Sequence, residues 1–364
     1  MRRYTRAPQG CKCFPRAEKP RIRAGLLAKI ARARLSRYAV RKDVRGTLTV
    51  TRAFVFPGQG AQTIGMGRDL AAAFPAARAV FAEVDDALSE NLSDLTWNGQ
   101  ADQLQLTRNA QPALMATSIA ALRALEAEGV EVTSAAFVAG HSLGEYTALC
   151  AAGALTLPDT ARLLRLRGEA MQAAVPLGVG AMAALLGLDF AAAAEVAAEA
   201  AQGEVCQAAN DNDPAQVVVS GHRGAVERAL EIARARGAKR ALMLPVSAPF
   251  HCTLMQPAAD AMATALAAVT LLPPCVPLVA NVRATAVSDP EVIRALLVEQ
   301  VTGSVRWRES VLWMAAQGVT EIWEIGAGKA LSGMVKRISP GITTRSIGLP
   351  EEVAAAMAQA TNQN

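Results

Sequence analysis

Short apolar runs, punctuated by glycine and proline, alternate with longer stretches of helical spacing along most of this chain. Residues 53–56, 135–139, 181–186 and 240–244 have the length and content of buried strands. Residues 190–201 and 224–236 repeat their apolar positions every three to four residues, as amphipathic helices do. Between 181 and 244 the predicted order is strand, helix, strand (204–208), strand (216–220), helix, strand. The polar run Asn210-Asp211-Asn212-Asp213-Pro214 reads as the turn between the middle pair. This β-α-β-β-α-β order is the ferredoxin-like one. On either side of it, strands and helices alternate, which predicts an α/β sheet covered by helices on both faces. The expected division is therefore a large subdomain from 50–178 and 248–350, a ferredoxin-like subdomain at 179–247, and a C-terminal tail at 351–364. Residues 1–49 form a separate basic extension.

The longest uncharged run, 261–282, is long enough to cross a membrane. Pro273, Pro274 and Pro277 interrupt it, so it reads as a helix followed by a strand. With 52% hydrophobic residues in 364, the chain has ample material for a large core. The net charge of +5 conceals two opposed parts. Residues 1–52 hold 16 Lys/Arg against 2 Asp/Glu; the remainder holds 21 against 30, a net of −9. An acidic body argues against nucleic-acid binding. Three readings suit the basic extension: an Arg-rich transit peptide, an arm for an acidic partner, or translation from a start placed too far upstream. The third is favoured, because the recognisable pattern begins only at Phe54. None of the six cysteines has metal-ligand spacing; Cys11-Lys12-Cys13 is too tight. Buried thiols in a reducing cytoplasm are expected, particularly Cys150 and Cys252.

Candidate chemistry centres on Gly140-His141-Ser142-Leu143-Gly144, which follows one predicted strand and precedes a helix of small residues. Strand, sharp turn and helix are the context in which G-x-S-x-G raises a serine as a nucleophile elbow. The N–H of Leu143 then points to where an oxyanion would form. The chain has three histidines. His141 adjoins the serine and points elsewhere on such a turn, as a packing residue. His222 sits in a turn before a charged helix and is expected to be solvated. His251 lies on the stiff segment Pro245-Val246-Ser247-Ala248-Pro249-Phe250-His251-Cys252 and is the candidate general base. Serine before histidine is the chain order of α/β-hydrolases, so the large subdomain is expected to be α/β-hydrolase-like. No acid closely precedes His251, so a backbone carbonyl could orient its ring. A second glycine turn, Pro57-Gly58-Gln59-Gly60, also follows a strand, and Gln59 would supply a second oxyanion donor. Arg165 has Glu169 four residues on, an ordinary surface pair. Arg167 shares the apolar face with Leu163, Leu164 and Met171. It either meets a carboxylate there or extends its head group to water.

Five segments in order, Phe54 to Gly60, Gly140 to Tyr146, Arg167-Gly168 with Met171-Gln172, Pro245 to Cys252 and Glu324 to Leu331, resemble the malonyl-CoA:acyl carrier protein transacylases. These are the enzymes that load malonyl groups for fatty-acid synthesis, and the resemblance covers roughly residues 50–350. It implies Ser142 as nucleophile, His251 as base, Arg167 on the malonyl carboxylate, and Gln59 and Leu143 as the oxyanion hole. It also implies that the carbonyl of Gln300 orients the histidine. Phe250 fits the malonyl-selective rather than the methylmalonyl-selective pattern. Ala327 stands where the family usually has proline, in a turn away from the chemistry. The implied reaction is malonyl transfer from malonyl-CoA to the phosphopantetheine thiol of acyl carrier protein, by a cytoplasmic monomer with no metal or redox cofactor. Supply of a polyketide pathway, a serine thioesterase or hydrolase, and a non-catalytic binding relative are the alternatives. With a ferredoxin-like insert between Arg167 and His251, the site is expected in a cleft between the subdomains. Asn210 is a weaker candidate for lining it.

Overall fold

A computed structural model describes residues 50–246 and 248–360 of the chain. The readings made for residues 1–49 lie outside the described residues, as do Ser247 and 361–364. The strands are β1 (Arg52–Phe56), β2 (Phe137–Gly140), β3 (Gly180–Leu186), β4 (Cys206–Asp213), β5 (Gln216–His222), β6 (Arg240–Met243), β7 (Leu278–Ala280), β8 (Thr285–Val287), β9 (Glu321–Ile325) and β10 (Thr343–Ile347). The helices before β3 are α1 (Arg68–Ala73), α2 (Pro75–Leu88), α3 (Leu92–Asn98), α4 (Ala101–Gln105), α5 (Thr107–Ala127), α6 (Gly144–Ala151) and α7 (Leu157–Ala173). Those after it are α8 (Phe190–Ala201), α9 (Arg223–Ala235), α10 (Gln256–Ala268), α11 (Pro290–Thr302), α12 (Trp307–Ala316), α13 (Ala330–Ile338) and α14 (Pro350–Ala360).

The fold is α/β, with a mainly parallel sheet and a separate antiparallel one. The first has the order β10-β9-β1-β2-β7-β8, parallel throughout except for β8, which returns antiparallel on β7. Its central strands β1, β2 and β7 are apolar on both faces because helices cover both. Ala53 and Val55 of β1 share a core with Trp307 and Met314, while Phe54 and Phe56 face Leu114 and Ile119 on the other side. The second sheet has the order β4-β5-β3-β6, all antiparallel, which is the ferredoxin-like arrangement. Helices α8 and α9 pack on one face through Ala193, Val196, Val226 and Ala229. From its opposite face, Met182, Ala184 and Val218 join the core of the large subdomain.

Three expectations need correction. The run 210–213 is not a turn: β4 continues to Asp213, and all four side chains are buried. Their polarity is matched from the large subdomain. Asp211 pairs with Arg308 at 2.8 Å, Asp213 with Arg337 at 2.8 Å, and Asn212 hydrogen-bonds His141 at 2.9 Å. Residues 351–364 are not simply a tail, since α14 buries Val353 and Ala356. Arg165 is not a surface partner of Glu169. It is buried, donating to the Arg108 carbonyl and the Asn109 amide oxygen and pairing with Glu90. The cause lies at Pro112, inside α5, which has no N–H to give the carbonyl four residues back. That carbonyl belongs to Arg108, and the Arg165 guanidinium takes the vacant place. Glu169 pairs with the Arg108 side chain instead.

Candidate active site

Two turns lie side by side at the carboxyl ends of β1 and β2, whose last residues, Phe56 and Gly140, are register partners. That is where open parallel sheets place their ligands. The elbow after β2 has no room for side chains at its glycines. A Cβ on Gly140 would sit 1.9 Å from the Gly144 carbonyl oxygen, and one on Gly144 would sit 2.2 Å from that of Phe56. Between them Ser142 has φ 53°, a left-handed conformation costly for a residue with a Cβ. His251 shares it, at φ 59°. The backbone N–H groups of Leu143 and Gln59 bond to no other described residue.

Ser142 Oγ is 2.8 Å from His251 Nε2, and His251 Nδ1 is 2.9 Å from the backbone carbonyl of Gln300 on α11. A carbonyl only accepts, so Nδ1 carries the proton and Nε2 offers its lone pair to the serine hydroxyl. Burial and then the neighbouring Arg167 charge pull the His251 pKa down to about 3. The ring is thus neutral at physiological pH, with the Nε2 lone pair directed at the serine hydroxyl. Replacement by alanine should slow acylation of Ser142 by roughly 10²–10⁴-fold, the usual worth of a positioned base. Quenched-flow mass spectrometry of the acyl-enzyme measures this, and a change of less than tenfold would remove His251 from that role.

Arg167, on α7, is 1% exposed, so the reading with its head group in water does not hold. The following Gly168 lets α7 cross close to the start of α5, since a Cβ there would lie 2.6 Å from Arg108 Cα. The guanidinium donates to Gln111 Oε1 at 2.8 Å, Gln300 Oε1 at 2.9 Å and Ser142 Oγ at 3.1 Å. All three acceptors are neutral.

The acyl transferase domain family model matches residues 53–337. Over 305 residues the chain is 48% identical to the malonyl CoA-acyl carrier protein transacylase of Escherichia coli strain K12, across 84% of this chain and 98% of that one. The chain belongs to the malonyl CoA-acyl carrier protein transacylase family. Its structure is similar to that of acyl-carrier-protein-S-malonyltransferase from Bartonella henselae, with TM-score 0.84 and 56% identity across 86% of this chain and all 100% of that one. A malonyl-transacylase solved in complex with its type II PKS acyl-carrier protein is also similar, with TM-score 0.83 and 42% identity across 85% and 99% of the two chains.

Within this transacylase-family fold, His141 turns away from the serine to Asn212, as an adjacent residue on the elbow should. Asn210 lies opposite Val305, which bonds to the backbones of the neighbouring Ala209 and Asp211, and the Asn210 side chain bonds to no described residue. It is Asn212, two positions on, that reaches the elbow. His222 accepts the Val205 N–H at 2.9 Å, so it is held rather than free in solvent.

Three residues around the site escaped the sequence reading. Asn281 follows β7 and spans the elbow, accepting the Ser142 N–H at 2.8 Å and donating to the Gly140 carbonyl at 2.7 Å. Gln111 holds Arg167. Glu145, fully buried on α6, accepts from the Gln300 side-chain amide at 2.8 Å and the Asn281 N–H at 3.2 Å. A lone carboxylate in a helix of small and apolar residues was the available signal, since a buried charge requires partners.

Burial pushes the Glu145 pKa up from 4.5 to about 7, against the pull of Gln300, Asn281 and Arg167. Between those pH values the native state keeps a proton that the unfolded chain releases, so stability falls as pH rises through the window. A neutral glutamine has no such loss. The stability of Glu145→Gln relative to wild type should therefore grow from pH 4.5 to 7 by on the order of 3 kcal/mol, then level off. Denaturant unfolding at several pH values checks this. A difference that stays constant would mean the carboxyl titrates like any exposed glutamate.

Proposed function

We propose that this transacylase-family chain moves a malonyl group from malonyl-CoA to the phosphopantetheine thiol of an acyl carrier protein, through a malonyl ester on Ser142. One observation carries the reading: a buried cation with only neutral partners, within hydrogen-bond reach of the nucleophile. A guanidinium kept dry with no carboxylate hydrogen-bonded to it is costly until a substrate supplies one, and its planar fork suits a carboxylate.

In the first half-reaction His251 Nε2 takes the Ser142 proton as Oγ attacks the thioester carbonyl. The amides of Gln59 and Leu143 receive the oxyanion. Collapse expels the CoA sulfur, which leaves with the proton from His251. In the second half the carrier thiol gives its proton to His251 and attacks the ester carbonyl. Ser142 departs and recovers the proton. Arg167 holds the malonyl carboxylate through both halves, and the Gln300 carbonyl keeps the ring of His251 in its tautomer. Protein groups and the two substrates account for every step, so no metal or redox cofactor is invoked.

Fatty-acid synthesis is the role that fits, in the cytoplasm and as a monomer. Among the described residues, no helix is long and apolar enough to cross a membrane. The test is sequential. Malonyl-CoA alone should leave a malonyl ester on the Ser142 peptide, and added holo-carrier should remove it as malonyl-carrier, while apo-carrier should not. Release to water faster than to the carrier thiol would make the chain a hydrolase.

A further inference from the structure

Gln300 meets the site in two ways. Its backbone carbonyl serves His251, while its side-chain amide stands between Arg167 and a cluster of acceptors. The amide oxygen receives Arg167 at 2.9 Å. The amide nitrogen donates to the Ser142 carbonyl at 2.9 Å, to Glu145 Oε2 at 2.8 Å and to Asn281 Oδ1 at 3.3 Å. An amide works in this orientation only while acceptors lie on its nitrogen side, because Arg167 has donors alone. Of those acceptors, Glu145 makes the shortest bond, and it is the only one able to carry charge. Glu145 also receives the backbone N–H of Asn281, the residue that spans the elbow. Its other oxygen is buried with no partner, so the carboxyl group is committed to this one contact set.

We infer that Glu145 is a positioning residue for substrate choice: it fixes the direction of the Gln300 side-chain amide and so aims the Arg167 fork at the acyl carboxylate. This rests on the reading of Arg167 given above. The serine hydroxyl bonds to His251 and Arg167 and not to Glu145, so the effect of Glu145 belongs in the preference for a carboxylate-bearing acyl group rather than in acyl transfer as such.

The measurement is single-turnover acylation of the full chain by malonyl-CoA and by acetyl-CoA. Glu145→Leu removes the acceptor. The malonyl-to-acetyl ratio of kcat/KM should fall about tenfold, the worth of one hydrogen bond to a charged group. The loss should appear in the malonyl KM, with acetyl transfer kept within about threefold. Glu145→Gln presents an oxygen at the same place, because both facing groups are donors, and should restore the ratio. Should Glu145→Leu fail to fold, Gln300→Met removes the same amide while leaving the backbone carbonyl for His251, and the ratio should fall likewise. Arg167→Ala is the control. If it shifts the ratio while Glu145→Leu, or Gln300→Met in its place, does not, the inference is wrong and the Arg167 reading stands. A ratio unmoved by Arg167→Ala overturns both. If Glu145→Gln is as impaired as the leucine variant, charge rather than amide direction is at work, and the inference as stated falls.

Discussion

Ser142→Ala is expected to form no covalent malonyl-enzyme and to lose malonyl transfer by on the order of 10⁴-fold or more. The argument is chemical: a double displacement needs an atom to carry the acyl group between donors, and the flanking side chains offer no substitute. His251 and Arg167 point at that oxygen from two sides, at 2.8 and 3.1 Å. The fold should survive. The strained backbone at φ 53° is held by Asn281 through the Ser142 N–H, a bond that alanine keeps. Intact-protein mass spectrometry after exposure to malonyl-CoA, with a thermal melt alongside, separates lost chemistry from lost structure. Stable acylation of the alanine variant would place the nucleophile elsewhere.

Arg167→Ala should have the next largest effect, and a selective one. Removing one partner of a desolvated charge pair costs about 3–5 kcal/mol. That is roughly a 10²–10⁴-fold loss in malonyl kcat/KM. Acetyl-CoA brings no carboxylate, so its transfer should hold or improve once the unpaired cation is gone. Arg167→Lys should recover only part of the loss. A point charge cannot serve Gln111, Gln300, Ser142 and a carboxylate from one plane, as the guanidinium does. Equal losses for malonyl and acetyl thioesters would show that Arg167 supports the fold around the serine rather than the choice of substrate.

The elbow was legible because backbone geometry enforces its spelling. Gly140 and Gly144 press against neighbouring carbonyls, so no other residue fits and the pattern survives in one dimension. The ferredoxin-like insert was legible for a similar reason, since period-two and period-3.6 segments sort themselves into strands and helices. Arg167 was ambiguous because helical spacing states which face a side chain takes, not what waits there. Gln111 and Gln300 lie 56 and 133 positions away. Glu145 and Asn281 were missed on the same ground, being 136 apart. The reading failed at 210–213 because asparagines and aspartates alternating before a proline resemble a turn. The arginines that make them strand residues, Arg308 and Arg337, come from helices far along the chain.

The placement of the site at adjacent strand ends carries a consequence for how the protein is made. Gln59, Ser142 and Asn281 come from neighbouring strands of one sheet, β1, β2 and β7, but the ribosome delivers them far apart in time. The carbonyl that sets the tautomer of His251 arrives later still, with α11. β9, the other neighbour of β1, follows even that. A nascent chain therefore holds a serine on an unsupported turn until nearly all of its length has emerged. Activity should appear abruptly at the end of synthesis, and shortened translation products should be chemically silent towards thioesters.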